Sequence, residues 1–388
     1  MSAAVDAVGR WWGRAPRPVT WHPVPWRQVW VWALVGWMAG LGLFVTQYRS
    51  SVDRLGPLVV TEPIIPAAPV LEADLGPEAV NRAGPHDGAF FYVIARQPMH
   101  LDAAAEGLDR PRYRSQRILF PVLGWALHPS GGGEGLVTAL FVVGALGVLG
   151  GAVAMGALAT GLGGPSWPAV VFPLLGGSVT SLRITTPDPL AVALALGAVA
   201  LALRRRTGWA VALGVAAVLT KETTLLVLIG YLVWDRSRLG ALLAGVPAAV
   251  AGGWWAVLHL LVPAGDRAEV IEFTWPFQGW ATSIDYWSTG REPMGMLWFA
   301  FAILLGVAAL VTGRLRHPLG GVVALNLVVT IPLIASAIAP ERSAGRTTLA
   351  LVSSALLVLV TLGAAGDGDP DDGPGTERAF ARLPRSLG

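Results

Sequence analysis

Cysteine is missing from all 388 residues, which excludes disulfides and thiolate metal sites. Charge is scarce too: Asp, Glu, Lys and Arg together make up 14% of the chain, where a soluble domain carries about a quarter. The six histidines show no zinc-ligand spacing. There is no Gly-rich phosphate loop of the Walker type and no dinucleotide fingerprint, so nothing points to nucleotide chemistry inside the cell. The net charge of +3 is no argument for nucleic acid. The arginines sit in short clusters between apolar blocks, which is how topology determinants are arranged.

What the chain has is apolar length. Hydrophobic residues make up 54% of it and fall in long blocks, which read as bilayer-spanning helices. Spans are expected at roughly 28–48, 134–160, 166–182, 188–203, 208–221, 223–234, 239–262, 293–313, 318–339 and 345–363. This predicts an all-α membrane protein of about ten transmembrane helices with a long first extracytoplasmic loop. Several spans are short, which is tolerated where a helix lines a protein cavity. No small-residue cleavage site follows the first span, so it reads as a retained anchor. The seventeen tryptophans suit a protein with two membrane interfaces.

Arginine placement orients the chain. With the N-terminus in the cytoplasm, the turns holding Arg204-Arg205-Arg206, Arg236/Arg238 and Arg314/Arg316 all fall inside. So does the tail with Arg378, Arg382 and Arg385. The organisation expected is a cytoplasmic segment 1–27, a polytopic domain 28–363 with outer loop 49–133, and a disordered cytoplasmic tail 364–388 rich in Gly, Asp and Pro. The protein would then sit in the cytoplasmic membrane with both termini inside. Gly36/Gly40 and Gly147/Gly151 are small-xxx-small pairs that permit close helix approach.

The residues able to do chemistry collect on the predicted outer side. Asp87 opens the aromatic stretch 87–96, which is expected to form a helix lying on the membrane. By residue type alone Asp87 equally suits a helix N-cap. Arg110, Arg112, Arg114 and Arg117 lie close together, against the positive-inside bias. They read either as a lipid-headgroup face or as a phosphate site, since the guanidinium fork matches phosphate oxygens. The apolar segment 118–127 is too short to span and is expected at the interface. Asp188 before Pro189 fits a helix start. Lys221-Glu222 reads as an interfacial ion pair or as part of a site. Arg342 and Arg346 occupy the last outer turn. The aromatics of 273–287 form either an aromatic belt or a stacking platform.

These motifs resemble those of the GT-C superfamily, the multi-spanning glycosyltransferases that use polyprenyl-phosphate sugars. The likeness rests on Asp87-Gly88-Ala89-Phe90-Phe91-Tyr92-Val93-Ile94-Ala95-Arg96-Gln97-Pro98, on Leu108-Asp109, and on Tyr113-Arg114-Ser115-Gln116-Arg117-Ile118-Leu119-Phe120-Pro121. Thr186-Pro187-Asp188-Pro189 and Thr220-Lys221-Glu222-Thr223 add to it. The resemblance implies Asp87 as catalytic base, with Arg114, Arg117, Lys221, Arg342 and Arg346 as donor-phosphate ligands. His86, Tyr92, Asp188 and Glu222 are supporting residues. It implies an inverting hexosyl transfer from a polyprenyl-phosphate sugar to a glycan, lipid or protein acceptor on the outer face. No metal or other cofactor is called for; His86 stands where some members carry a second acid, which weakens the case for a divalent ion. Two other classes stay open: a lipid or solute transporter or flippase, and a non-catalytic envelope-assembly protein. The absence of an internal repeat gives no support to an inverted-repeat transporter.

Overall fold

A computed structural model describes residues 19–48, 56–59, 61–80, 87–264, 273–290 and 292–362. His86, the N-terminal segment up to 18 and the tail 364–388 lie outside the described residues. Among those described, structure is helical apart from two isolated bridges, Thr61 to Val80 and Phe273 to Leu333.

The first long helix, α1, runs Trp26–Tyr48. The stretch that follows folds into short helices: α2 Ala68–Leu75, α3 Asp87–Arg96, α4 Leu101–Ala104, α5 Pro111–Ser115 and α6 Leu119–Leu127. Next comes α7 Glu134–Gly161, which starts with an acid in its first turn where the macrodipole favours one. The segment expected at 166–182 is broken by Pro173 into α8 Pro168–Val171 and α9 Gly176–Arg183. Helices α10 Asp188–Leu203, α11 Thr207–Thr220, α12 Leu225–Trp234 and α13 Arg238–Leu261 follow at short turns. The hydroxyl of Ser237 caps α13 by accepting from the Leu239 N–H at 3.1 Å. The remainder comprises α14 Gln278–Ser288, α15 Pro293–Gly313, α16 Gly320–Thr330, α17 Ala335–Ile338, α18 Glu341–Thr347 and α19 Leu349–Thr361.

Four helices, α1, α7, α13 and α15, are long and apolar enough to cross a membrane. Helices α10, α11, α12, α16 and α19 are apolar and shorter. This composition supports a membrane-embedded protein. The small-residue pairs act as expected: Gly36 and Gly40 let α1 approach Val170 and Pro173, while Gly147 meets Leu190 and Gly151 meets the Phe172 ring.

The bundle has two chemically different ends. At one, Trp234 donates its indole N–H to the Arg316 carbonyl at 3.0 Å, His317 bonds Thr361 at 2.8 Å, and Arg205 lies 3.8 Å from Asp235. At the other, α3, α5, the start of α10, the end of α11 and α18 converge. A separate apolar core underlies that second end, built on Leu71, Phe91, Ile94, Phe120, Leu136 and Leu140. Helix α3 packs inside this end rather than on its surface: Gly88 through Ala95 are all buried. A helix apolar on every side is buried in its surroundings. Each buried Phe in it contributes about 1.5–3 kcal/mol. Phe91 meets Phe120 edge-on at 5.6 Å.

Candidate functional site

Two close backbone approaches build the site. Gly88 sits in the first turn of α3 directly against the carbonyl oxygens of Ile184 and Leu58, where any Cβ would collide. That contact presses Asp87 toward the turn leading into α10. Thr185 in this turn has φ +50, a conformation that costs a non-glycine residue about 1 kcal/mol or more. On the other side, Gly345 of α18 abuts the backbone of Gly176 and Gly177 in α9, again with no room for a Cβ. The next residue, Arg346, is thereby carried across to the two aspartates.

The side chains then form one ionic network. Arg114 donates to Asp87 Oδ1 at 3.0 Å and grips Asp109 with Nε and Nη2 at 2.9 and 3.1 Å. Its guanidinium stacks 4.1 Å over the Phe90 ring. Arg346 Nη2 donates to Asp87 Oδ2 at 2.8 Å, and its Nε stands 3.8 Å from Asp188 Oδ2. Lys221 pairs with Asp188. Arg117 grips Glu222 with two bonds of 3.0 and 2.7 Å and donates to the Tyr113 hydroxyl at 2.7 Å. Paired forks of this kind are the strongest hydrogen bonds a protein makes between side chains.

Electrostatics follow from this geometry. Burial would raise the Asp87 carboxyl, but the charges of Arg346 and Arg114 outweigh it and hold the group well below the usual carboxylate range. Asp87 is therefore ionised at neutral pH. Burial works against the charge on Arg114, yet Asp87 and Asp109 keep it above its ordinary value. Arg346 is likewise held above its ordinary value against burial, by Asp188 and Asp87. Its Nε and Nη1 are nonetheless buried with no hydrogen-bond partner. Buried donors of a charged group left unmet are costly, so the fold holds unused anion-binding capacity at this point.

A cavity of about 330 Å³ opens beside Arg346. Its lining holds the charged Asp188, Lys221, Glu222 and Arg346 together with the apolar Val192, Phe273 and Leu333. A lining that mixes charge with apolar side chains can take a ligand with both a charged and an apolar part.

Seven residues singled out from sequence meet here: Asp87, Arg114, Arg117, Asp188, Lys221, Glu222 and Arg346. Asp188 does not cap its helix: it sits inside the first turn of α10, and its carboxylate points to Lys221 and Arg346 instead. Tyr92 is elsewhere. Its hydroxyl donates to Asp74 at 2.9 Å and accepts from the Gly133 N–H, tying α2, α3 and the start of α7 together. Burial pushes that phenol above its ordinary value, and Asp74 adds to the rise. The Arg342 side chain lies outside those described. Sequence reasoning missed Asp109 as the counter-charge of Arg114. Its only signal was the need of a buried arginine for a carboxylate. It also missed Gly88 and Gly345 as the spacers; of the aromatic segment 273–287, Phe273 lines the cavity. Among the described residues no cluster of three or more His, Asp or Glu is set to hold a metal. No family model, curated protein or solved structure matches the chain.

Proposed function

We propose that this chain is a ten-span glycosyltransferase of the cytoplasmic membrane, moving a sugar from a polyprenyl phosphate to an envelope acceptor on the outer face. The observation that carries the reading is Arg346. Two of its donors are buried and unmet, it lines a cavity of mixed charged and apolar lining, and it also touches the ionised Asp87. A lipid-linked phosphate suits that mixture: its oxygens meet Arg346 and Lys221, and its chain lies along Phe273 and Leu333. Asp87 takes the acceptor hydroxyl proton as that oxygen attacks the anomeric carbon. The bond from that carbon to the phosphate oxygen breaks with its electron pair on the phosphate. Arg346 and Lys221 stabilise the charge, so no general acid is needed for departure. One displacement inverts the anomeric centre. Asp188 positions Lys221 and Arg346. Arg114 and Arg117 already have their forks engaged by Asp109 and Glu222, so they hold the site's frame rather than the phosphate.

A transporter fits the same residues less well, because its charged groups belong near the midplane, whereas these gather at one end of the bundle. The test is binding of a short-chain polyprenyl phosphate to purified protein. Arg346→Gln is expected to weaken it about tenfold or more, the worth of a charge-assisted hydrogen bond or two. The exposed change Arg206→Gln at the opposite end is expected to leave it unchanged. Equal binding by Arg346→Gln and wild type, both folded, overturns the reading.

A further inference from the structure

The opposite end of the bundle carries a second cavity, of about 300 Å³, with almost wholly apolar walls. Its shape is legible from its lining. On α7 the lining residues are Leu146, Gly147, Gly150, Val153, Ala154 and Ala157, and on α10 they run from Leu190 through Gly197 to Arg204. Both sets recur every three or four residues, so each is one face of its helix. The groove therefore runs parallel to the helix axes, for about 20 Å at 1.5 Å per residue. Gly150, Ala154 and Ala157 of α7 lie along it, and at Gly150 there is room for a side chain to enter it.

One end of this groove is different. There Trp21, Trp26 and Arg204 close it. The Arg204 guanidinium lies 5.8 Å from the Trp26 ring centre, and Arg204, Arg205 and Arg206 are all exposed. Arg205 faces the buried Asp235. Arg204 has the Trp26 ring as its neighbour and stands at the mouth. An apolar channel parallel to the helices that ends on a cation and two indoles matches one kind of molecule. Its tail lies along the helices and its negatively charged head sits at the interface.

We infer that the groove between α7 and α10 is a binding site for one acyl chain of an anionic phospholipid, with its phosphate at Arg204. The occupant is a lipid of the leaflet at the arginine-rich end. Charge complementarity selects it over a neutral lipid, and the groove's length and width select a single chain over a protein helix. The site stands independently of the reading of the opposite end, since no residue is shared between the two cavities.

Gly150 makes the site testable without unfolding the protein. A Cβ there meets only the Ala193 methyl, at an ordinary 3.6 Å, so a larger side chain fills the groove rather than breaking the helix contact. Gly245, on the exposed face of α13 with nothing within 4 Å, is the control. The measurement is native mass spectrometry of the full-length protein with added dioleoyl phosphatidylglycerol or dioleoyl phosphatidylcholine. Wild type and Gly245→Leu are expected to retain one phosphatidylglycerol in preference to phosphatidylcholine. Gly150→Leu is expected to lose that retained lipid. Arg204→Gln is expected to keep a lipid but lose about fivefold of the preference, the worth of one arginine at a lipid surface. Retention by Gly150→Leu equal to wild type overturns the proposal, as does equal retention of the two lipids by wild type.

Discussion

The two ends of the bundle treat charge in opposite ways. At the end that carries Asp87, charges are taken out of water and paired across the chain: Arg114 is 8% exposed, Arg117 7% and the acid Asp188 4%, while Lys221 and Arg346 are half-buried. At the end that carries Arg204–Arg206, the arginines stand in the open and the single buried acid, Asp235, is 0% exposed beside a 65% exposed Arg205 side chain. Taking a charge out of water costs several kcal/mol, and only good geometry returns it. The first end accepts that cost many times over, using five separate segments to do so. The second end avoids it, leaving Arg204, Arg205 and Arg206 exposed. The contrast separates a charge cluster built into the fold from charges left on its surface.

The sharpest way to break this comparison is to ask whether the ends face different compartments. In a chain without native cysteine, Ser130→Cys and Ser237→Cys mark one end each. An impermeant thiol reagent added to intact cells is expected to label position 130 fully and position 237 not at all. Labelling of both, or of 237 alone, ends the argument from arginine placement.

Stability comes next. Lys221→Met leaves Asp188 buried with Arg346 Nε at 3.8 Å as its nearest cation. A loss of about 3–5 kcal/mol is expected, as for other broken buried pairs. Arg206→Gln at the other end is expected to change stability by about 0.5 kcal/mol or less. Thermal unfolding in one detergent compares the two, and similar losses would erase the distinction.

His317 probes the arginine-rich end by pH. Its ring accepts the Leu319 N–H at Nδ1 and bonds Thr361 at Nε2, and burial pushes it down to about 4. The folded value lies below the unfolded value near 6.5. The stabilising contribution is thus complete above about pH 6.5 and is lost as pH falls toward 4. The loss amounts to ~3 kcal/mol at most. Unfolding free energy of wild type and His317→Asn, measured across that window, should converge at low pH. Parallel curves would assign the titration elsewhere.

The smallest expected effect is Gly88→Ala. Its methyl must displace the Ile184 carbonyl, at about 1–3 kcal/mol. Because the same contact sets Asp87 in place, activity is expected to fall further than stability alone explains. Full activity in a folded Gly88→Ala protein would show that this approach does not position the acid.

Much of this was legible in the chain, and for definite reasons. Long apolar blocks announce helices because only helices and closed barrels satisfy a backbone in lipid, and barrel strands are shorter and alternate. Charged residues stand out against so apolar a sequence, which is why Asp87, Asp188, Lys221 and Arg346 could be singled out singly. Their pairing could not. Arg117 meets Glu222 across 105 residues, and Arg346 meets Asp87 across 259. Those contacts depend on Gly88 and Gly345, whose need for contact with no Cβ leaves no local trace. The full burial of α3 was not legible for a related reason: an aromatic-rich segment looks alike whether its neighbour is lipid or the protein's own core. The role of Tyr92 was not legible either, since its partner Asp74 lies in α2, which has no motif of its own.

The central claim is that the buried acid–base network transfers a sugar from a lipid phosphate. The most direct test supplies purified protein in liposomes with a radiolabelled polyprenyl-phosphate sugar and an envelope extract as acceptor. It compares wild type with Asp87→Asn and Asp188→Asn. The account predicts transfer by wild type and none above background by a folded Asp87→Asn protein that still binds the donor. Asp188→Asn, which loosens Lys221 and Arg346, should bind the donor differently and retain partial turnover. Wild-type turnover by Asp87→Asn would contradict the account at its base.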